Sequence, residues 1–397
     1  MISVDAMTKL ISAPTIVIAP DKFRGSLTAA QAASAMAAGV LQVLPAARLV
    51  IRPVADGGEG TLDTLHVRGA SLIDIQAADA LGVPKEAQIA RWQETAYIEL
   101  ATICGIEQLS PTATTAQAAT SVGLGQAILA AGQLGVSRIV VTLGGSASTD
   151  GGAGLLAGLG FHFHDESGRR IIAVPEKLDE VWSITPGLEN AEWSGTELVV
   201  ASDVDSPLLG SQGAALVFGP QKGADPATVS ILESRLTRWS QALHRSFGVD
   251  PQAVPGGGAA GGIAAGLHVA LGAKIVPGAD YMLELLGLGG DLNSAHWVLT
   301  GEGSLDAQSL AGKAPVRVAE LAREAKVPSW AIAGRLDLEG NGPFERVASL
   351  TEAARPDEDT FADAAKILTR VAASMTIQWA DDRWPRPTGS AFSLTAL

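Results

Sequence analysis

The chain has 397 residues, with 42 acidic against 28 basic side chains and a formal net charge of −14. That length exceeds what one hydrophobic core organises, so two or three domains are expected, and the acidic balance, with no Lys/Arg run, excludes nucleic acid and anionic membrane surfaces as partners. Cys104 stands alone and reads as a buried filler in a reduced compartment, and the absence of a signal-length or membrane-length apolar run predicts a soluble, cytoplasmic protein.

Residues 1–13 read as a ragged lead-in. Residues 15–19 form a short β-branched strand ending at Pro20-Asp21, and residues 27–43 then place Ala, Met and Leu at helical spacing. A second strand over 49–54 runs into the turn-forming Asp56-Gly57-Gly58-Glu59-Gly60, with a helix resuming over 62–67. The middle of the chain carries a strand over 97–101, a helix over 122–131, a strand over 138–143, a long Gly-rich segment and a strand over 198–201. A strand at 297–300, a Gly/Glu/Asp loop, a helix over 316–325 and a strand at 329–333 follow. These last βα units are more like the first two than the middle. The expected fold is therefore α/β with two domains: a Rossmann-like parallel-sheet domain formed by residues 1–80 and 285–397, and an inserted α/β domain over 81–284. The stretch beyond Trp379, with Pro385 and Pro387, has no period and is expected to be loosely ordered.

Four segments carry candidate chemistry. Residues 143–154, L-G-G-S-A-S-T-D-G-G-A-G, follow a strand and precede a small apolar helix. A Gly-rich turn feeding a helix N-terminus offers N–H groups and a positive dipole end to a phosphate or carboxylate, so Gly144, Gly145, Ser146, Asp150, Gly151 and Gly152 are candidate ligands; a tight structural turn is the alternative. The loop is neither a Walker A sequence nor a Rossmann glycine fingerprint. Asp56 and Glu59 flank two glycines at a strand end, where hard carboxylate oxygens suit Mg²⁺. Residues 300–306 repeat that design with Glu302 and Asp306, followed by Gln308 and Lys313. Asp203 and Asp205 follow a strand and precede Pro207, which leaves both carboxylates exposed on a loop and either one a candidate general base for a hydroxyl; solvated loop carboxylates are the alternative. Cations are few, so Lys22, Arg24, Lys222 and Lys313, each in a loop beside Gly, Ser or Pro, are the candidate grips on a carboxylate or phosphate. Gly258, within the glycine run 255–262, is either a hinge or a close contact with nucleotide. His162 and His164 alternate along a strand without the partners of a metal site.

Eight ordered blocks, residues 19–27 (A-P-D-K-F-R-G-S-L), 54–61, 97–101, 144–154, 201–208, 219–223, 255–262 and 299–313, together resemble the bacterial glycerate kinases of the type that yields 2-phosphoglycerate. The resemblance covers nearly the whole chain and departs from the family's usual pattern at Arg24, Thr149 and Ser206, where Lys, Asn and Asn are common. It implies ATP and Mg²⁺, D-glycerate as substrate, and an active site in the interdomain cleft. Asp203, Arg24, Asp56 and Lys222 would be catalytic, and Gly258 and Lys313 would join the glycine loop at the nucleotide. Asp21, Lys22, Arg24, Ser26 and Glu302 would hold glycerate, and Asp56, Glu59, Glu302 and Asp306 would hold the metal. Regiochemistry and a homo-oligomeric state stay open. A non-catalytic sensor binding a small anion between two α/β domains is the rival, and it would not need clustered carboxylates.

Overall fold

The computed structural model describes residues 13–384 except 56, 173, 188–194, 308 and 339. In chain order its strands are β1 (Thr15–Pro20), β2 (Arg48–Ile51), β3 (Ser71–Ala78), β4 (Pro84–Trp92), β5 (Thr95–Glu99), β6 (Arg138–Thr142) and β7 (His162–His164). They continue as β8 (Arg170–Ile171), β9 (Ser183–Thr185), β10 (Glu197–Ala201), β11 (Lys274–Val276), β12 (Trp297–Leu305), β13 (Ser329–Leu336) and β14 (Arg346–Ser349). The chain forms two compact units, one from the segments up to Ala55 and from Met282 onward, the other from Asp56 to Tyr281. The mixed α/β class with parallel sheets is the one the sequence pattern predicts.

The first unit is built on a five-stranded sheet in the order β14-β13-β12-β1-β2, parallel throughout. Every residue of β1 is buried, the run expected of a central parallel strand covered on both faces. On one face lie the helices Ala29–Val43 and Ala364–Arg383. The former starts at Thr28, whose Oγ1 accepts from the Gln31 N–H (3.2 Å) while Gln31 Oε1 accepts from the Thr28 N–H (2.9 Å), a reciprocal cap that stops fraying. The two helices cross so closely that a methyl on Gly39 would lie 2.3 Å from the Thr369 carbonyl oxygen. Ile16, Ile18, Met36, Leu299, Ile332 and Leu368 fill the core, and Trp297 stacks on Trp379 with centroids 5.3 Å apart. The last helix thus continues past Trp379 to Arg383, because that indole anchors it to the sheet; residues 385–397, where the expected loose tail lies, are outside the described residues.

The second unit carries a six-stranded sheet, β11-β10-β6-β5-β4-β3, parallel from β11 to β5 and antiparallel from β5 to β3. A small antiparallel sheet, β8-β7-β9, lies outside it in the strand order. Residues 56–80, assigned by sequence pattern to the first domain, belong here, because β3 pairs with β4 along eight residues. Cys104 is buried among the core residues, which pushes its thiol up to about 12.

Two further boundaries differ from expectation. Leu100 and Ala101 are not strand but the first turn of the helix Leu100–Cys104. Residues 301–305 are not a loop but the end of β12, whose pairing with β13 runs to Leu305 opposite Leu336. Glycine makes that extension possible: a methyl on Gly301 would lie 2.0 Å from the Ile332 carbonyl oxygen, and one on Gly303 would lie 2.8 Å from the Arg24 nitrogen. Among the described residues no helix is long and apolar enough to cross a membrane.

Candidate functional site

Parallel strands bring the loops at their carboxyl ends together, and both units use this. In the first unit, Ala19 and Pro20 of β1 lie opposite Thr300 and Gly301 of β12. The loop after β1 is tied to β12 by its backbone: the Asp21 N–H donates to the Gly301 carbonyl (2.8 Å) and the Gly303 N–H to the Lys22 carbonyl (3.3 Å). Phe23 anchors this loop in the core at 1 % exposure, while its carbonyl accepts from the N–H groups of Ser26 and Leu27 (both 2.9 Å) and from Ser26 Oγ (3.0 Å). Asp21 is buried and takes the Lys22 N–H at 2.6 Å, Lys22 is half-buried, and Arg24 is exposed. On β12, Glu302 is buried with Lys313 Nζ 3.7 Å from its carboxylate. Asp306 accepts the Ser309 N–H at 3.1 Å. One unit therefore gathers Asp21, Lys22, Arg24, Ser26, Glu302, Asp306 and Lys313.

In the second unit Glu99, Thr142 and Ala201 end three adjacent parallel strands in register. Residues 143–154 leave the middle one and fold around Asp150, which is fully buried. Its carboxylate accepts from the Ser121 N–H (2.8 Å), Ser121 Oγ (2.8 Å), the Gly152 N–H (3.2 Å) and the Gly154 N–H (3.1 Å). Asp150 therefore fills the N-terminus of the helix Ala153–Gly158 with the protein's own charge, and the dipole end proposed for an external anion is already occupied. The glycines answer close packing. A methyl on Gly151 would lie 2.3 Å from Trp239 Cδ1, one on Gly261 would lie 2.1 Å from the Ser148 carbonyl oxygen, and one on Gly144 would lie 2.4 Å from Gly58 Cα. Gly258, open between hinge and nucleotide contact in the sequence, likewise packs on the 202–208 loop. Its N–H donates to the Ser206 carbonyl at 2.9 Å, and a methyl there would lie 2.2 Å from the Pro207 carbonyl oxygen.

Lys222 is the cation of this set, and it is not on the surface. Buried at 4 % exposure, it donates from Nζ to Ser146 Oγ (2.9 Å) and to the Ser148 carbonyl (2.5 Å), cross-linking the 219–223 turn to the glycine loop. Burial pulls its ammonium down to about 8, against the opposing pull of the Asp150 charge. The hydroxyls of Ser148 and Thr149 are buried beside it without a hydrogen-bond partner in the protein. Since the ordinary lysine value is 10.5, the unfolded chain holds a proton here between about pH 8 and 10.5 that the folded chain lacks. Stability gained from this group should therefore rise with pH through that window, by up to about 3 kcal/mol. Cys104, with its raised value, acts in the opposite sense above about pH 9. The measurement is thus the difference in urea stability between wild type and Lys222→Met, which should climb from pH 8 to 10; a flat difference would show that the ammonium is not desolvated.

Asp203 lies on the turn after β10, half-buried, and both its carboxylate oxygens accept from the Ala279 N–H (3.1 and 3.2 Å) at the start of the helix Gly278–Leu285. Asp205 on the same turn is exposed. Glu59 is half-buried, and Asp56 lies outside the described residues, as does Gln308. Glu99 is a residue that motif reading passed over. Buried at 1 %, it accepts from the Gly60 N–H (3.0 Å) and the Leu62 N–H (2.9 Å), holding the 57–60 turn and the start of the helix Thr61–Val67. A lone carboxylate inside the apolar run Y-I-E-L-A was the available signal. Among the described residues no group of three or more His, Cys, Asp or Glu side chains is arranged to hold a metal ion. His162 stands 2.8 Å from Arg170 on the small sheet, outside both sets.

The chain is similar to known proteins along most of its length. The profile of the glycerate kinase family matches residues 16–380. A glycerate kinase of Halalkalibacterium halodurans is 35% identical over 90% of this chain and 98% of its own length. The glycerate 2-kinase of Escherichia coli K12 is 36% identical over 81% of this chain and 85% of its own. A solved Salmonella typhimurium LT2 structure, provisionally named glycerate kinase 2, superposes with a TM-score of 0.79 at 33% identity, covering 94% of this chain and all of that one. With the family match extending from β1 through the last helix, the chain belongs to the glycerate kinase family.

Proposed function

We propose that this chain transfers the γ-phosphoryl group of ATP to the 2-hydroxyl of D-glycerate, releasing ADP and 2-phosphoglycerate. The observation that carries the reading is the gathering of Lys22 and Arg24 with Glu302 and Lys313 at the adjoining carboxyl ends of β1 and β12. A three-carbon acid offers a carboxylate that a guanidinium grips in two places, so Arg24, with Lys22 beside it, takes that end. Ser26 and Asp21 shape the same loop. In the other unit, residues 144–152, braced by Asp150 and Lys222, supply a rigid backbone toward nucleotide phosphates. Asp203 is the general base, taking the proton of the attacking hydroxyl as the new O–P bond forms. Its bond from Ala279 fixes where the carboxylate points.

Magnesium fits this donor set as a companion of the nucleotide: such an ion keeps most of its coordination in phosphate oxygens and water and needs one or two protein carboxylates. Glu302 is the first candidate, with Asp306 just past the end of the same strand. The ion would neutralise charge on the transferring phosphoryl oxygens. We place the activity in the cytoplasm, in keeping with the unbridged, buried Cys104.

Purified protein with Mg²⁺, ATP and D-glycerate should release ADP in step with glycerate consumed, and phosphorus NMR should show the phosphate on carbon 2. Absence of turnover would refute the assignment, and a signal on carbon 3 would correct its regiochemistry.

A further inference from the structure

Phe361 is an exposed aromatic at 63 %, yet it is held in a built position beside the loop that bears Lys22 and Arg24. A methyl placed on Gly25 would lie 3.4 Å from Phe361 Cε1 and 3.6 Å from Cδ1, so the ring edge is in contact range of that residue. Gly25 has φ +79°, the left-handed corner at which the loop turns back toward Leu27. The ring is presented by a tight acidic turn: Asp359 Oδ1 accepts from the N–H groups of Phe361 (2.8 Å) and Ala362 (2.9 Å). Asp363 Oδ2 accepts from the Asp359 N–H at 3.0 Å. The turn is in turn fixed by Glu358, whose oxygens accept from both terminal nitrogens of Arg370 (2.8 and 2.7 Å) and from the Arg355 N–H (2.9 Å), with Lys366 Nζ at 3.2 Å. Exposed phenyl rings carry a solvation cost, and the segment spends seven hydrogen bonds and ion pairs placing this one.

We propose that Phe361 is a positioning residue for the acceptor. Its ring backs the Gly25 corner and so limits the paths from which Lys22 and Arg24 are offered to the glycerate carboxylate. Phe361 acts through Gly25 and needs no contact with substrate. The inference rests on the assignment of the 21–27 loop to glycerate, and the experiment separates the two.

Steady-state kinetics of the full-length protein supply the test. Phe361→Ala should raise KM for glycerate about tenfold while kcat and KM for ATP stay within about twofold, since loosening one grip costs orientation at that grip alone. Phe361→Leu, which restores bulk behind Gly25, should bring KM back most of the way. Asp359→Ala, which frees the turn but keeps the ring, should reproduce the selective rise should Phe361→Ala prove hard to fold. Arg24→Ala is the control on the assignment: a rise in KM for ATP in place of glycerate would show that the loop serves the nucleotide. If Arg24→Ala raises KM for glycerate but Phe361→Ala leaves it unchanged, the positioning role is wrong. A uniform fall in kcat, both affinities and thermal midpoint would make Phe361 a stabilising contact only, and would overturn the proposal equally.

Discussion

Asp203→Asn is expected to lower kcat by about 10² to 10⁴ with little change in either KM, the range for removing one positioned general base. The substitution is close to a pure test of charge. Asparagine retains one oxygen that can accept from the Ala279 N–H, so the start of the helix Gly278–Leu285 keeps its cap while the proton acceptor is lost. Glu302→Gln should also reduce rate, but through the nucleotide. Its carboxylate is the buried negative charge beside Lys313, and the amide leaves that ammonium without its partner and any metal with one hard ligand fewer. The two variants thus differ in signature: Asp203→Asn falls in kcat, whereas Glu302→Gln rises in KM for magnesium-ATP and is partly rescued by excess Mg²⁺. An Asp203→Asn enzyme retaining more than about half its turnover would remove Asp203 from the chemistry, since no base acting on a hydroxyl is that dispensable. Asp205→Asn would then be the next measurement, because that carboxylate is exposed on the same turn.

What the sequence revealed and what it concealed divide along physical lines. The strand-turn-helix alternation is written in hydrophobic period and glycine, so the βα units at both ends and the parallel sheets were legible. The place where the chain passes from one unit to the other was not: β3 and β4 pair as an antiparallel hairpin onto a parallel sheet, and nothing local in residues 56–80 distinguishes that from a continuation of the first sheet. Glycine misled in a specific way. Gly301 and Gly303 look like loop residues but sit in β12, where a neighbouring backbone leaves no room for a side chain. Gly144 and Gly151 look like an anion cradle and Gly261 like a hinge or a nucleotide contact, and each in fact admits another part of the chain. Glycine says only that something comes close, and the identity of that something is a tertiary fact. Lys222 shows the same limit for charge: beside Pro220 and Gly223 it reads as a loop cation able to grip a carboxylate or phosphate, and only the fold reveals it as a buried cross-link to Ser146.

Asp150→Ala should be the most destabilising single substitution in the second unit, with a loss of about 4 kcal/mol or more in urea unfolding. The side chain is fully buried, and its removal strands the N–H groups of Ser121, Gly152 and Gly154 together with Ser121 Oγ. Each buried donor left without an acceptor costs about 1 to 3 kcal/mol, and cavity formation adds to that. Lys222 would also lose the negative charge that partly offsets its desolvation, so its ammonium should titrate lower still. A total of this size approaches the whole stability of an ordinary domain, so the milder probe is Ser121→Ala, which deletes one donor to Asp150 and the acceptor for the Leu155 N–H. Ser121→Ala should cost about 1 to 2 kcal/mol and leave a folded protein for kinetics. Because this hydroxyl bonds to Asp150, its loss should weaken ATP binding only as far as the 144–154 backbone loosens. An Asp150→Ala protein within about 1 kcal/mol of wild type would show that the glycine loop is held by its packing against Trp239 and Gly261 and not by this carboxylate.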